Sequence, residues 1–495
     1  MIGYNYEQSE YKNLTAKRNG LLFEDAEDIS MAIGESMTID GGYEKWRIAG
    51  GFFRLNYSYD DRYLLEVNGR YDGSSKFPED QKWGFFPSVS GGWRISEEPF
   101  WKVSDRFISD AKIRASYGTL GNGNIDPYTY AEVFEMSKSG RILGGELPQR
   151  TNNPAVVPDG LTWEKSRTFN IGADLGFLSG RLRFTGDAYV RKTKDMFTVG
   201  VTLPGVFGAD EPYGNYADLT TKGFEITLTW RDRFTLGHKP FNYEIRGTLA
   251  DYHSKIDKYN NPNRYLSDYY EGEKVGEIWG YVTDGFFTSE EDVANSPVQN
   301  QTKASTSGKE LPGDIKFRNL DGDNAITYGQ KTVDDPGDKK VIGNKDPRYI
   351  YSFNLSGDWN NFFLSAFFQG VGKQDWYPST ESPFWGQYNR PYNNMPKFQL
   401  GKIWSEDHPN AYFPRYRGYV ASSSSRELGA VQTRYLQNVA YIRLKNIQLG
   451  YTLPKRLISK LGMQELKVYL SGENLWCWSP LYRKTKDIDV ASIYG

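Results

Sequence analysis

The chain has 495 residues, with 60 Lys and Arg against 62 Asp and Glu, for a formal net charge of −2. That balance excludes the basic field with which a protein meets nucleic acid or an anionic lipid surface. No run of ~18 apolar residues occurs, so no transmembrane helix is expected, and the single Cys477 excludes an internal disulfide framework and a cysteine-rich zinc site. Aromatic residues are plentiful, at 36 Tyr, 28 Phe and 13 Trp beside 51 Gly. Such residues favour strands and the bilayer interface. Met1 is followed by IGYNYEQSEY, without the basic and apolar regions of a signal peptide, so together with the strand pattern the chain reads as a piece of a longer precursor.

Period-2 alternation runs through the sequence. Along 62–72, Tyr63, Leu65, Val67 and Tyr71 alternate with Glu66, Asn68, Arg70 and Asp72; along 166–177, Phe169, Ile171, Ala173, Leu175 and Phe177 alternate with Thr168, Asn170, Gly172 and Asp174. In chain order the expected strands are 2–15, 46–59, 62–72, 83–95, 111–119, 162–177, 181–192, 222–232, 241–251, 348–358, 362–370, 436–451 and 465–475. Within the twelfth the phase slips, and a β-bulge near Lys445–Asn446 would absorb the extra residue. Most of these strands reach the ~9–11 residues that a tilted membrane-crossing strand needs, whereas soluble strands usually run ~5–6.

The connections alternate in length. Asp60–Asp61, Leu178–Gly180 and Asn360–Asn361 are tight, and 96–110, 233–240 and 452–464 are modest; between them lie 17–45, 73–82, 120–161, 193–221, 252–347 and 371–435. Outer-membrane barrels have short turns on the periplasmic side and long loops outside. Alternation of apolar and polar residues alone fits a soluble β-protein equally well. Strand length, loop asymmetry and interface aromatics select the barrel, with Leu65, Val67, Ile113, Phe169, Ile171, Phe184, Ile226 and Leu228 turned to lipid and Glu66, Arg114, Asn170, Asp187 and Glu225 on the opposite face.

Several segments resemble the SusC/RagA-like family of the Bacteroidetes outer membrane. They include NYSYDDRYLLEVNGRYDGSSKFP (56–78), WGFFPSVSGGWRISEEPFW (83–101), WEKSRTFNIGADLGFLSGRLRFTGDAYVRKTKDMF (163–197) and YIRLKNIQLGYTLPKRLISKLGMQELKVYLSGENLW (441–476). The resemblance implies an all-β, transmembrane antiparallel β-barrel, multi-pass in the cell outer membrane, and a TonB-dependent importer of oligosaccharides or peptides. It further implies a SusD-like surface lipoprotein as partner and the TonB–ExbB–ExbD complex as energy source. Measured against a barrel of ~22 strands, the whole of 1–495 is expected to be a partial barrel of thirteen, with the plug domain and first strands missing upstream and a closing strand missing downstream. The alternatives from other classes are a passive porin and a secreted carbohydrate-active enzyme.

Motifs for chemistry are sparse. His238, His253 and His408 are the only histidines, each placed in a different connection, and no HExxH, GxSxG, Walker A or strand-flanked GxGxxG occurs; the chain reads as no enzyme and no cofactor is expected. NLDGDNAITYGQ (319–330) would set Asn319, Asp321 and Asp323 at alternate ligand positions of a weak calcium loop, but Asn324 stands where a Gly belongs and Gln330 where a bidentate Glu belongs. The long connections carry Trp279, Tyr281, Trp376, Trp385, Tyr388 and Tyr392. Aromatic rings can pack on the C–H faces of sugars, so these six are the candidate substrate contacts, against the alternative of loop packing or contact with a lipoprotein lid.

Overall fold

The computed structural model describes residues 1–495 except 24, 26–27, 133, 135, 152–155, 159, 201–205, 207–210, 300–301, 303–308, 419–420, 424–425 and 494–495. It is nearly all β. Thirteen strands form one sheet in which each is hydrogen-bonded to the next along the chain. They are β1 (Ile2–Arg18), β2 (Met37–Tyr59), β3 (Tyr63–Ser74), β4 (Trp83–Arg94), β5 (Ile108–Asn122), β6 (Glu164–Phe177), β7 (Leu182–Val199), β8 (Tyr213–Leu236), β9 (Lys239–Lys258), β10 (Arg348–Trp359), β11 (Phe362–Lys373), β12 (Tyr441–Thr452) and β13 (Lys467–Trp478). All thirteen expected strands are present in the expected order. Among the described residues no helix is long and apolar enough to cross a membrane. The chain divides into two compact units, the first made of Met1–Trp93, Arg114–Asn170 and Arg191–Leu219 and the second of Arg94–Ile113, Ile171–Val190 and Thr220–Gly495.

In the first unit β2 and β3 are joined through Asp60 and Asp61, both left-handed at φ 52° and 51°. Two such residues make the type I′ turn whose twist matches that of the strands it joins, and Asp tolerates the conformation. Facing residues then fall in register: Tyr57 opposes Leu65, and Leu55 opposes Val67. The polar residues take the other face, where Glu66 accepts from Arg54 at 2.5 Å and from Asn68 Nδ2 at 2.7 Å. Behind β4, Phe77, Phe86, Leu161 and Trp163 form a small buried cluster, and the Trp163 indole donates to the Lys82 carbonyl at 2.9 Å.

β2 is much longer than expected. Its pairing with β3 stops at Ile48↔Ser74, yet pairing with β1 continues out to Arg18↔Met37. The β1 ladder carries the strand through Gly41 and Gly42. The result is a two-stranded ribbon ~35 Å long beyond the neighbouring strand. Because β3 does not reach this stretch of β2, replacing Asn13–Gly42 by an Asn-Gly turn is expected to leave the rest of the sheet folded; loss of the β-sheet circular dichroism signal would show the ribbon to be structural.

In the second unit β8 and β9 meet at Gly237 and His238, at φ 53° and 65°, and β10 and β11 at Asn360 and Asn361, at φ 48° and 73°. The connection expected over 233–240 is therefore a two-residue turn, because Gly-His supplies both left-handed positions. His253 likewise lies within β9, not in a connection. The bulge in β12 falls where the phase slip put it: register shifts between Leu444 and Asn446 against β13, leaving Lys445 unmatched. At the far end of the pair β9–β10, Arg348 grips Asp251 with two hydrogen bonds of 2.6 Å.

Of the residues expected on the apolar face, Leu65, Ile113, Phe169, Ile171 and Leu228 are exposed, while Val67, Phe184 and Ile226 are half-buried. None of them joins a buried cluster. An apolar strand face left outside the core is what a lipid-facing surface requires.

Candidate functional site

Two long connections of the second unit, 259–347 between β9 and β10 and 374–440 between β11 and β12, fold together. Glu277–Tyr281 pairs with Lys339–Asn344, Thr283–Phe286 with Ile315–Phe317, and Asp375–Trp376 with Gln437–Asn438. Tyr281 bridges to Gln432, tying one connection to the other. The segments enclose a core of their own that includes Phe286, Ile315, Phe317, Phe384, Phe413 and Tyr435. Rings meet edge to face, as in Phe384–Trp385 at 5.1 Å and Trp385–Tyr435 at 5.3 Å, or stacked, as in Phe413–Tyr435 at 5.7 Å. Polar tips find partners: Trp385 Nε1 donates to the Ser379 carbonyl at 2.9 Å, Tyr388 Oη to Pro414 at 2.8 Å and Tyr377 Oη to Leu428 at 2.7 Å. Each such side chain contributes about 1.5–3 kcal/mol through burial, so connections of this length hold a fixed shape.

Three of the six expected ligand contacts stand in that core. Trp385 and Tyr388 are wholly buried and Tyr281 nearly so, at 0%, 1% and 3% exposure. These three close the loop core. Trp376 is half-buried on the edge of the core, against Phe384, and Trp279 is half-buried with its indole donating to Tyr270 Oη at 3.2 Å. Tyr392 alone of the six is freely exposed, at 80%. The sequence pattern marks aromatic-rich loops, but a loop core and a ligand platform use the same residues.

Polar residues that no sequence motif singles out also cross between the two connections. Glu427 is buried and accepts the Ile315 N–H at 2.9 Å; Asp314 is buried and accepts from Arg417 Nη1 at 2.5 Å and from the Leu311 N–H at 2.8 Å. Glu427 Oε1 has no hydrogen-bond partner among the described residues, and Asp314 shares a side-chain hydrogen bond with Glu310. Burial pushes the Glu427 carboxyl well above the usual carboxylate range, and the nearby Asp314 adds to the rise. Burial also raises Asp314, against the opposing pull of the Leu311 N–H and Arg417. Glu273, in the first connection, is pushed up to about 7, again chiefly by burial. Single acids in polar, aperiodic loops carry no signal that reveals their burial, so sequence reasoning passes over them.

In the 319–330 loop the three expected calcium ligands each close a turn. Asn319 Oδ1 accepts the Gly322 N–H at 2.7 Å, Asp321 Oδ1 the Asp323 N–H at 3.1 Å and Asp323 Oδ1 the Ala325 N–H at 2.7 Å. These are successive turns closed by short polar side chains. Among the described residues no group of three or more His, Cys, Asp or Glu is placed to hold a metal ion. Millimolar calcium is accordingly expected to leave the thermal unfolding of the loops unchanged; a calcium-dependent rise in melting temperature that Asp323→Asn removes would contradict this.

Residues 2–295 match the family model described as TonB dependent receptor-like, beta-barrel. The chain belongs to the TonB-dependent receptor β-barrel family. Such barrels are outer-membrane proteins, which places the chain there and explains its unburied apolar strand faces. TonB-dependent receptor P3 of Formosa agariphila is 29% identical over 442 residues, covering 86% of this chain and 40% of that protein. TonB-dependent receptor SusC of Bacteroides thetaiotaomicron is 27% identical over 422 residues, covering 81% of this chain and 37% of that protein. The chain thus spans about two fifths of the length of these relatives. Among solved structures, the RagAB peptide transporter superimposes with a TM-score of 0.75 at 20% identity, over 97% of this chain and 49% of the other, a likeness of fold.

Proposed function

We propose that this chain is the barrel wall and outer loop cap of a TonB-energised importer that takes up oligosaccharides or peptides too large to diffuse. A SusD-like surface lipoprotein would serve as its lid, and a plug domain coupled to TonB–ExbB–ExbD would supply the energy. The observation that carries the reading is the folded core shared by 259–347 and 374–440, set on a sheet whose other connections include turns as short as Gly237–His238. A cap with its own buried core is a fixed recognition surface, and fixed surfaces favour selective capture. The relatives support the energised route: P3 and SusC are TonB-dependent receptors by name, and RagAB is a peptide transporter.

The test is uptake of labelled oligosaccharides and peptides by cells carrying the protein. Saturable uptake that a protonophore abolishes is expected. Uptake indifferent to the protonophore and linear in concentration would identify a passive porin instead. Soluble glycan hydrolysis without membranes would identify a secreted enzyme.

A further inference from the structure

A cavity of about 400 Å³ opens in the second unit between the loop 381–398 and the segment 485–488 that follows β13. None of its lining belongs to the six aromatic residues read from the sequence. One side is apolar and firmly set. Phe398 stands in the wall with its ring 5.2 Å from that of the buried Phe384 and 5.9 Å from Phe413, flanked by Pro396 and Ile488. The other side carries planar polar groups, Glu381, Asn393, Asn394 and Asp487. Several of these are fixed. Glu381 accepts from Asn389 Nδ2 and Arg390 Nη2, each at 2.9 Å; Asn393 Nδ2 donates to the Gly386 carbonyl at 3.3 Å; Asp487 accepts from Thr485 Oγ1 at 3.1 Å.

We propose that this cavity is a binding subsite for one or two residues of a neutral, hydroxyl-rich saccharide. The inference rests on the import reading above and narrows its substrate to glycans. A sugar ring has an apolar C–H face and an equator of hydroxyls. The first suits the Phe398–Pro396–Ile488 wall, and adjacent hydroxyls suit carboxylates and amides, which offer two hydrogen-bonding atoms in one plane. The volume lies at the lower end for ligand pockets, so it takes a terminal unit and not a whole oligosaccharide. A peptide finds less here: Pro383 and Pro396 have no N–H to offer its backbone, and the Asn393 N–H is spent on the Arg390 carbonyl at 3.1 Å. Arg390 offsets the charge of Glu381, and Asp487 remains to disfavour an acidic sugar. Most of the polar wall is held before a ligand arrives, which lowers the ordering cost of binding.

The test uses the protein purified from outer membranes with whatever lipoprotein accompanies it. Neutral gluco-, manno- and galacto-tetraoses, an oligogalacturonate and a set of tetrapeptides are titrated against it by calorimetry. At least one neutral tetraose is expected to bind, and the oligogalacturonate to bind more weakly. Asn394→Trp, which fills the cavity from an exposed position, and Asp487→Ala, which removes a hydroxyl acceptor, are each expected to weaken that binding about tenfold, the size of one lost hydrogen bond to a charged group. Heat-modifiability and protease resistance of the loops confirm folding, and Asp487→Ala stands alone as the test if the tryptophan variant misfolds. Tetraose binding unchanged in a folded variant overturns the subsite and leaves the import reading standing. Binding of peptides and of no neutral tetraose overturns it as well and makes the substrate a peptide. No binding of either class, with no energised uptake, overturns the import reading itself.

Discussion

Arg417→Met is expected to release the folded loops while leaving the strands in place. In the native chain the Arg417 guanidinium sits 2.5 Å from the fully buried Asp314 carboxylate, close to a second buried acid, Glu427. Removing one partner of a buried pair costs about 3–5 kcal/mol, because the remaining charge is stranded away from water. Chymotrypsin should then cut within 309–432 in the variant and not in the parent, while the heat-modifiable barrel persists. The defect has a predictable sign with pH. Asp314 and Glu427 titrate above their unfolded values in the folded state. The unfolded loop therefore loses its protons first, so rising pH favours opening, and stability present below the ordinary carboxylate range is lost as pH climbs above it. Cleavage of Arg417→Met should accordingly be faster at pH 8 than at pH 5. Asp314→Asn in the same chain should restore much of the resistance. Equal cleavage at both pH values would show that the two acids do not share the burden.

Trp385→Ala is expected to do comparable damage by a different route. Trp385 is fully buried, with Phe384 and Tyr435 against its ring and the Ser379 carbonyl on its indole N–H. Truncating a buried aromatic leaves a cavity and costs about 3–5 kcal/mol. Tyr392→Ala, at a ring that is almost entirely exposed, should change stability by less than ~0.5 kcal/mol. The contrast separates packing from ligand contact. Lost ligand affinity in Trp385→Ala should come with protease-sensitive loops, whereas lost affinity in Tyr392→Ala with intact loops would mark a direct contact. Intact loops in Trp385→Ala would refute the structural role.

The strands were legible because a membrane-facing sheet imposes one rule on every residue: Leu65 and Glu66 differ in polarity because one face meets apolar surroundings and the other does not. Turn chemistry was legible at Asp60–Asp61 and Asn360–Asn361, where residues tolerant of positive φ adjoin. It was missed at Gly237–His238, where the charged flanks Arg233 and Lys239 disguised the strand ends. The loop cap resisted reading for a physical reason. Its core joins residues far apart in sequence, such as Glu427 with Ile315 and Tyr281 with Gln432, and no local period records such a pairing. Composition revealed the aromatic rings and could not say which of them face inward.

The sheet is expected to cross the outer membrane with its long connections outside and its tight turns within. Cysteine labelling in living cells tests it most directly. In a Cys477→Ser background, Tyr392→Cys and Leu400→Cys report on the 374–440 connection and Lys239→Cys on the edge of the Gly237–His238 turn, all three at exposed positions. A membrane-impermeant maleimide should label the first two in intact cells, and Lys239→Cys only once the outer membrane is permeabilised. Labelling of Lys239→Cys in intact cells while the loop positions stay silent, or equal labelling of all three, would contradict the topology.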